Sequence, residues 1–163
     1  MKRIYFYFLV IISFSSCTNS DKNLFEELSS FQTGIDFRND LKYDKNFNIF
    51  NYRNYYNGGG VGLGDINNDG LIDIFFNSNL EENKLYLNKG DFKFEDITEI
   101  AGVTGTKSWS TGVSLADINA DGFLDIYVSN SGDIKGDNKQ NELFINNGNL
   151  TFTEMASDYG LDD

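Results

Sequence analysis

Apolar positions along the chain fall into short alternating runs rather than helical stripes. The run 61–63 leads into an acidic stretch and the run 71–76 leaves it. The run 85–87 ends at the turn Asn88-Lys89-Gly90, and Phe92 and Phe94 alternate with charged residues before Ile97. Runs of this length, rich in β-branched and aromatic side chains and bounded by Gly, Asn and Asp, read as strands. Helix is scarce: residues 24–28 make one short candidate, and residues 97–102 a single turn.

The pattern repeats. The segment from Gly62 to Ile74 recurs from Ser114 to Ile126 at an offset of 52, and the segment from Lys84 to Phe94 recurs from Glu142 to Phe152 at an offset of 58. Six residues are therefore inserted between the two motifs, within 131–141, where they read as a solvated loop open to a partner. Four strands in roughly fifty residues is the content of one β-propeller blade. The expected fold is all-β: two four-stranded blades of an incomplete propeller, each carrying a calcium-binding hairpin loop. Trp109 opens the second unit six positions after Val103. Its expected counterpart after Leu161 falls near position 167, past Asp163, so the pattern predicts further blades from sequence beyond this chain.

The acidic loops carry the chemistry. In the first, Asp65, Asn67, Asp69 and Asp73 stand at relative positions 1, 3, 5 and 9, with Gly70 at position 6 and the Leu71 carbonyl as a further oxygen. The second repeats the set as Asp117, Asn119, Asp121, Asp125, Gly122 and the Phe123 carbonyl. An all-oxygen set around a sharp glycine turn suits Ca²⁺, whereas Mg²⁺ demands a tighter octahedron. The spacing begins like an EF-hand, but position 12 is Phe76 in one loop and Val128 in the other, where an EF-hand needs a carboxylate. Asx-type hairpin turns explain one such loop; two with identical spacing, each with three mutually repelling carboxylates, point to two structural Ca²⁺ sites.

Composition narrows the function. With no histidine, the chain has no Ser-His or Cys-His nucleophile and no imidazole metal ligand. Thirteen basic residues against 25 acidic ones, a formal charge of −12, argue against nucleic acid as partner. Lys2 and Arg3 precede an apolar run from Ile4 to Phe14, then Ser15, Ser16 and the single cysteine, Cys17. That is a signal-peptide pattern too short to span a bilayer. It resembles a bacterial lipobox, which implies cleavage before Cys17 and lipid attachment to it, at the outer membrane on its periplasmic or cell-surface face; the alternative is an ordinary secretory signal cut nearby, leaving a free thiol. Loss of residues 1–16 leaves 11 basic and 25 acidic groups, a formal −14, and a mature chain with no possible internal disulfide.

The two loops and their flanking strands, across about 57–161, resemble FG-GAP/VCBS repeats, the blades of integrin-like propellers. Thr33-Gly34-Ile35-Asp36-Phe37, Asn57-Gly58-Gly59-Gly60 and Trp109-Ser110-Thr111-Gly112 resemble the start of bacterial secreted proteins of the ASPIC/UnbV (CRTAC-like) group. That resemblance implies calcium in the loops and a propeller usually of seven blades. The expected organisation is a lipoprotein signal peptide at 1–16, anchor cysteine and tether at 17–32, an N-terminal segment at 33–56 as a candidate blade-closing strand, and repeats at 57–103 and 104–163. The aromatic run Phe47, Phe50, Tyr52, Tyr55 and Tyr56 reads as core or closing strand, and Trp109, Asn57 and glycines 58–60 as close packing where the inner strands crowd. No catalytic residue is indicated. The reading is a calcium-stabilised, lipid-anchored module for adhesion or capture of a protein or glycan ligand. The alternatives are an accessory scaffold of an outer-membrane uptake complex and the non-catalytic N-terminal part of a larger enzyme.

Overall fold

In a computed structural model, residues 24–132 and 138–163 are described. The signal segment 1–16, Cys17 and part of the inserted loop lie outside them. Among the described residues eight strands form two antiparallel sheets, each in simple sequential order. The first holds β1 (Val61–Gly64), β2 (Asp73–Phe76), β3 (Lys84–Asn88) and β4 (Phe94–Asp96); the second holds β5 (Ser110–Ala116), β6 (Asp125–Asn130), β7 (Glu142–Asn146) and β8 (Phe152–Glu154). The all-β, two-blade reading holds. Each loop joins two antiparallel strands, with Gly64 opposite Asp73 and Ala116 opposite Asp125, and position 12 lies on or beside strand ladder residues rather than a helix.

Sheet pleating decides what is buried. Phe75 pairs with Gly62 and with Leu85 on one face, whereas Ile74 pairs with Tyr86 on the other. The first face meets the second blade in one core that includes Ile66, Phe75, Leu85, Leu87, Ile126, Val128 and Phe144. Each such side chain contributes about 1.5–3 kcal/mol on burial. Gly62 and Gly64 let the blades approach: a methyl on Gly64 would lie 2.7 Å from Leu124 Cδ1, and one on Gly62 3.1 Å from Leu115 Cδ1. The far face of blade two carries a smaller cluster of Leu143, Ile145 and Ala156.

Each blade ends in one helical turn. These are α2 (Thr98–Ala101), stopped by Gly102, and α3 (Ala156–Tyr159), stopped by Gly160, both glycines left-handed. The short helix expected at 24–28 does not form. Leu24 and Phe25 are 95% and 90% exposed, so an apolar stripe there has nothing to pack against. The turn forms instead at α1 (Ser30–Thr33), where Ser29 and Gln32 close a reciprocal capping box and Gly34 at φ 81° ends it.

The N-terminal segment straps the first blade. Phe37 stacks on Phe76 at 4.7 Å, and the Tyr86 hydroxyl donates to Asp36 at 2.9 Å. Burial and that carboxylate push the Tyr86 phenol up to about 12. Residues 44–57 form no ladder strand: Asn48 and Asn51 side chains bond to local backbone and hold tight turns, as short amides do when they compete with secondary structure. From this arm Phe47, Tyr52 and Tyr55 surround Trp109, with ring centroids 4.9–5.6 Å from the indole. Trp109 is 1% exposed and holds φ 63°, a left-handed conformation that bulky side chains rarely adopt.

Candidate metal-binding loops

Both acidic loops are shaped by their own oxygens. Asn68 and Ala120 at φ 60°, with Gly70 at 86° and Gly122 at 93°, turn the chain so that backbone N–H groups point inward. In the first loop Asp65 accepts the N–H groups of Asp69 (3.1 Å) and Gly70 (2.7 Å), and Asn67 Oδ1 accepts Asp69 N–H (3.2 Å). Asp69 accepts Leu71 N–H (2.8 Å) and the Asn67 amide (2.9 Å). The second loop repeats every bond: Asp117 with Asp121 (3.0 Å) and Gly122 (2.9 Å), Asn119 with Asp121 (3.0 Å), and Asp121 with Phe123 (2.9 Å) and Asn119 (2.8 Å).

The ninth position behaves differently from the rest. Asp73 and Asp125 are 1% and 0% exposed, whereas Asp69 and Asp121 face solvent. Asp73 accepts Ile66 N–H at 2.9 Å and Asn88 N–H at 2.8 Å; Asp125 accepts Ile118 N–H at 2.8 Å and Asn146 N–H at 2.8 Å. Each therefore clamps its loop to the third strand of its own blade. Burial pushes the Asp73 carboxyl above the ordinary range. The Asn88 and Ile66 N–H groups pull it back, and the charges of Asp69 and Asp65 push it up again.

Those three carboxylates thus stand close enough to repel. Their donor set, with Asn67 and the Leu71 carbonyl, is all oxygen and fits a hard divalent cation by its chemistry. Each carboxylate oxygen of the loop takes one N–H donor and keeps a lone pair. Among the described residues no group of three His, Cys, Asp or Glu side chains is placed to hold a metal ion together; the loop carboxylates are engaged by N–H groups.

Asn88 and Asn146 brace the loops, a part that the sequence pattern alone, which places them at turns, does not reveal. Each brackets its loop: N–H to the ninth-position aspartate, side-chain amide to Ile72 O (2.8 Å) or Leu124 O (3.1 Å), and Oδ1 accepting from Gly90 or Gly148 (both 2.9 Å). Their signal was present, since both recur at the 58-residue offset just before a turn glycine.

At the opposite end of the strands a cavity of about 400 Å³ is lined by Asp36, Arg38, Glu81, Glu82, Lys84 and Asp96, with an ion pair between Lys84 and Asp96 at 3.1 Å. Asn79 bridges the blades there by donating to Gly58 O and Ser110 O, both at 3.0 Å.

Residues 65–128 match the family model described as FG-GAP-like repeat. Cartilage acidic protein 1 of Xenopus tropicalis is 37% identical over 108 residues, covering 64% of this chain and 16% of that protein. The human protein of the same name is 34% identical over 106 residues, covering 63% and 15%. The chain thus spans about one sixth of the length of the curated relatives it matches.

Proposed function

This chain is an FG-GAP repeat protein, and from that premise we propose that it is a calcium-stabilised, extracytoplasmic, non-catalytic binding module, held to a membrane by lipid on Cys17. The observation that supports the calcium reading is the duplication of one hydrogen-bonded arrangement of loop oxygens, each loop with three aspartates at the same spacing, at two places in the chain. Asp65, Asn67, Asp69, Asp73 and the Leu71 carbonyl would hold one ion; Asp117, Asn119, Asp121, Asp125 and the Phe123 carbonyl the other. A bound ion supplies positive charge that offsets carboxylate repulsion. At free calcium about ten times the dissociation constant, each site adds about 1.4 kcal/mol to stability. Extracellular calcium modules bind at about 10⁻⁴ to 10⁻³ M, which suits a protein outside the cytoplasm. Propeller-like blades present rigid loops to a protein or glycan ligand, and the acidic surface disfavours nucleic acid.

Calcium titration with thermal melting tests this reading. Calcium should raise the melting temperature, and Asp69→Asn with Asp121→Asn should abolish the rise while keeping the loop turns. The substitutions are placed at the exposed fifth positions because the buried ninth positions stabilise the fold with or without metal. Identical melting with calcium and with chelator would refute the metal reading. No helix of the described residues is long and apolar enough to cross a membrane, so the anchor is tested separately. Cys17→Ser should move the protein from the detergent phase to the aqueous phase, and unchanged partition counts against lipidation.

A further inference from the structure

We propose that Tyr43, Asp44, Tyr55 and Tyr56 of the N-terminal arm form a subsite for one ring of a neutral glycan. The inference deepens the reading of the chain as a binding module and does not depend on calcium.

The arm is set in shape by its own bonds. The Asn48 side-chain amide donates to the Asp44 and Lys45 carbonyls at 2.9 and 3.2 Å, and the Asn51 amide donates to the Asn46 carbonyl at 2.8 Å. Asp44 and Phe47 pair across the turn as an isolated antiparallel bridge. Beneath it Phe47 and Tyr55 pack on Trp109, with centroids 5.0 and 5.6 Å from the indole. A surface segment fixed in this way has little freedom left to lose on binding.

The arm keeps two of its aromatic rings in water. Tyr55 is 1% exposed, whereas Tyr43 and Tyr56 are 70% and 67% exposed. The Tyr56 ring meets Tyr55 edge-on, with centroids 5.1 Å and planes 87° apart. Exposed ring faces of this kind are amphipathic contact surfaces, apolar over the ring and polar at the hydroxyl.

The polar groups beside these rings are unevenly matched. The Tyr55 hydroxyl and the Trp109 Nε1–H are buried and have no hydrogen-bond partner, although a buried phenol or indole normally finds one. Burial raises the Tyr55 phenol, and Tyr56, Asp44 and Tyr43 stand close enough for their charges to raise it further. The unpaired hydroxyl therefore lies beside the exposed pair and the aspartate. Asp44 Oδ1 accepts the Asn46 N–H at 2.7 Å, and the carboxylate keeps further lone pairs.

That combination selects among ligands. A sugar hydroxyl uses both groups at once, donating to Asp44 while its oxygen accepts from Tyr55. An ammonium group has only donors and leaves the Tyr55 hydroxyl unpaired, and an anion is repelled by Asp44. The ring faces of Tyr43 and Tyr56 then suit the C–H face of a pyranose.

Native electrophoresis of the full chain through gels containing starch, mannan, galactomannan or xyloglucan tests the subsite. At least one of these neutral polysaccharides should retard the protein. Tyr56→Ala should weaken the retardation about three- to tenfold, the worth of one aromatic contact. Asp44→Asn keeps the acceptor for the Asn46 N–H and should weaken retardation as well. Tyr55→Phe should weaken it by about threefold or more, yet melt no lower than the wild type, because it removes an unpaired hydroxyl. Retardation by none of the four, or only by polygalacturonate, overturns the proposal, as does displacement by choline but not by free hexose. Retardation that all three variants leave unchanged overturns this site while the binding-module reading stands.

Discussion

Asp73 and Asp125 do two jobs with one side chain. Each is a proposed cation ligand, and each is also a buried acceptor for two backbone N–H groups, one in its own loop and one on the third strand of its blade. The second job does not depend on metal. Asp73→Ala strands the Ile66 and Asn88 N–H groups and should lower stability by about 2–5 kcal/mol in calcium-free buffer, since hydrogen bonds to charged groups contribute about 1.5–3 kcal/mol each. Urea unfolding in chelator measures this; a loss seen only with calcium present would show that the side chain acts solely through the ion. Asp69 differs in kind because it is exposed, and its removal should be felt mainly when calcium is added.

At the junction between the last strand of each blade and its helical turn, the two units reach one result by different chemistry. In the first, Asp96 accepts the backbone and hydroxyl of Thr98, and the Thr98 hydroxyl oxygen accepts Leu85 N–H at 2.9 Å. In the second, Glu154 alone spans the gap, accepting Leu143 N–H at 3.2 Å and Ala156 N–H at 2.8 Å. A longer carboxylate replaces a shorter one plus a hydroxyl. Burial raises the Asp96 carboxyl, but the Thr98 and Lys84 bonds outweigh it and hold it below its ordinary 3.8. A lowered folded pKa means that its stabilisation is present above about pH 3.8 and is lost as pH falls toward the folded value. Thr98→Ala should cost about 1–2 kcal/mol at neutral pH through the unpaired Leu85 N–H and the weakened Asp96 contact. The gap between variant and wild type should narrow below about pH 4; a gap independent of pH would place the whole effect on Leu85.

The assembly of blades depends on backbone brought close to backbone. A methyl on Gly59 would lie 2.2 Å from the Asn77 carbonyl oxygen, and one on Gly60 2.9 Å from the Thr111 carbonyl oxygen. These contacts are with main chain, which cannot swing aside as the Leu124 side chain near Gly64 can. Gly59→Ala should therefore destabilise by about 1–3 kcal/mol, with the melting temperature falling by about 2–4 °C per kcal/mol. An unshifted melting curve would mean the glycine run is free to move. The same crowded end holds Trp109, kept left-handed because the arm residues Phe47, Tyr52 and Tyr55 pack against its ring.

Much of this protein is written locally. Strands, hairpin loops, the helical turn at 98–101 and the place of every loop oxygen follow from alternation, glycine positions and spacing, because each involves residues a few steps apart in the chain. Position 12 already distinguished a strand hairpin from a helix pair. The arm at 44–57 was legible in part: Phe47, Tyr52 and Tyr55 pack on Trp109 as core, but Phe50 and Tyr56 are exposed and no closing strand forms, because the asparagines bond their own backbone. Other features waited on three dimensions: the burial of Asp73 but not Asp69, the Asn146 contact with Ile66, and the bond from Asn68 to Gly122. Ile66 and Ile118 occupy the same place in their repeats, yet Ile66 is 2% exposed and Ile118 37%. The repeat is blind to that difference, because only docking of one blade on the next decides which copy of a residue finds a partner.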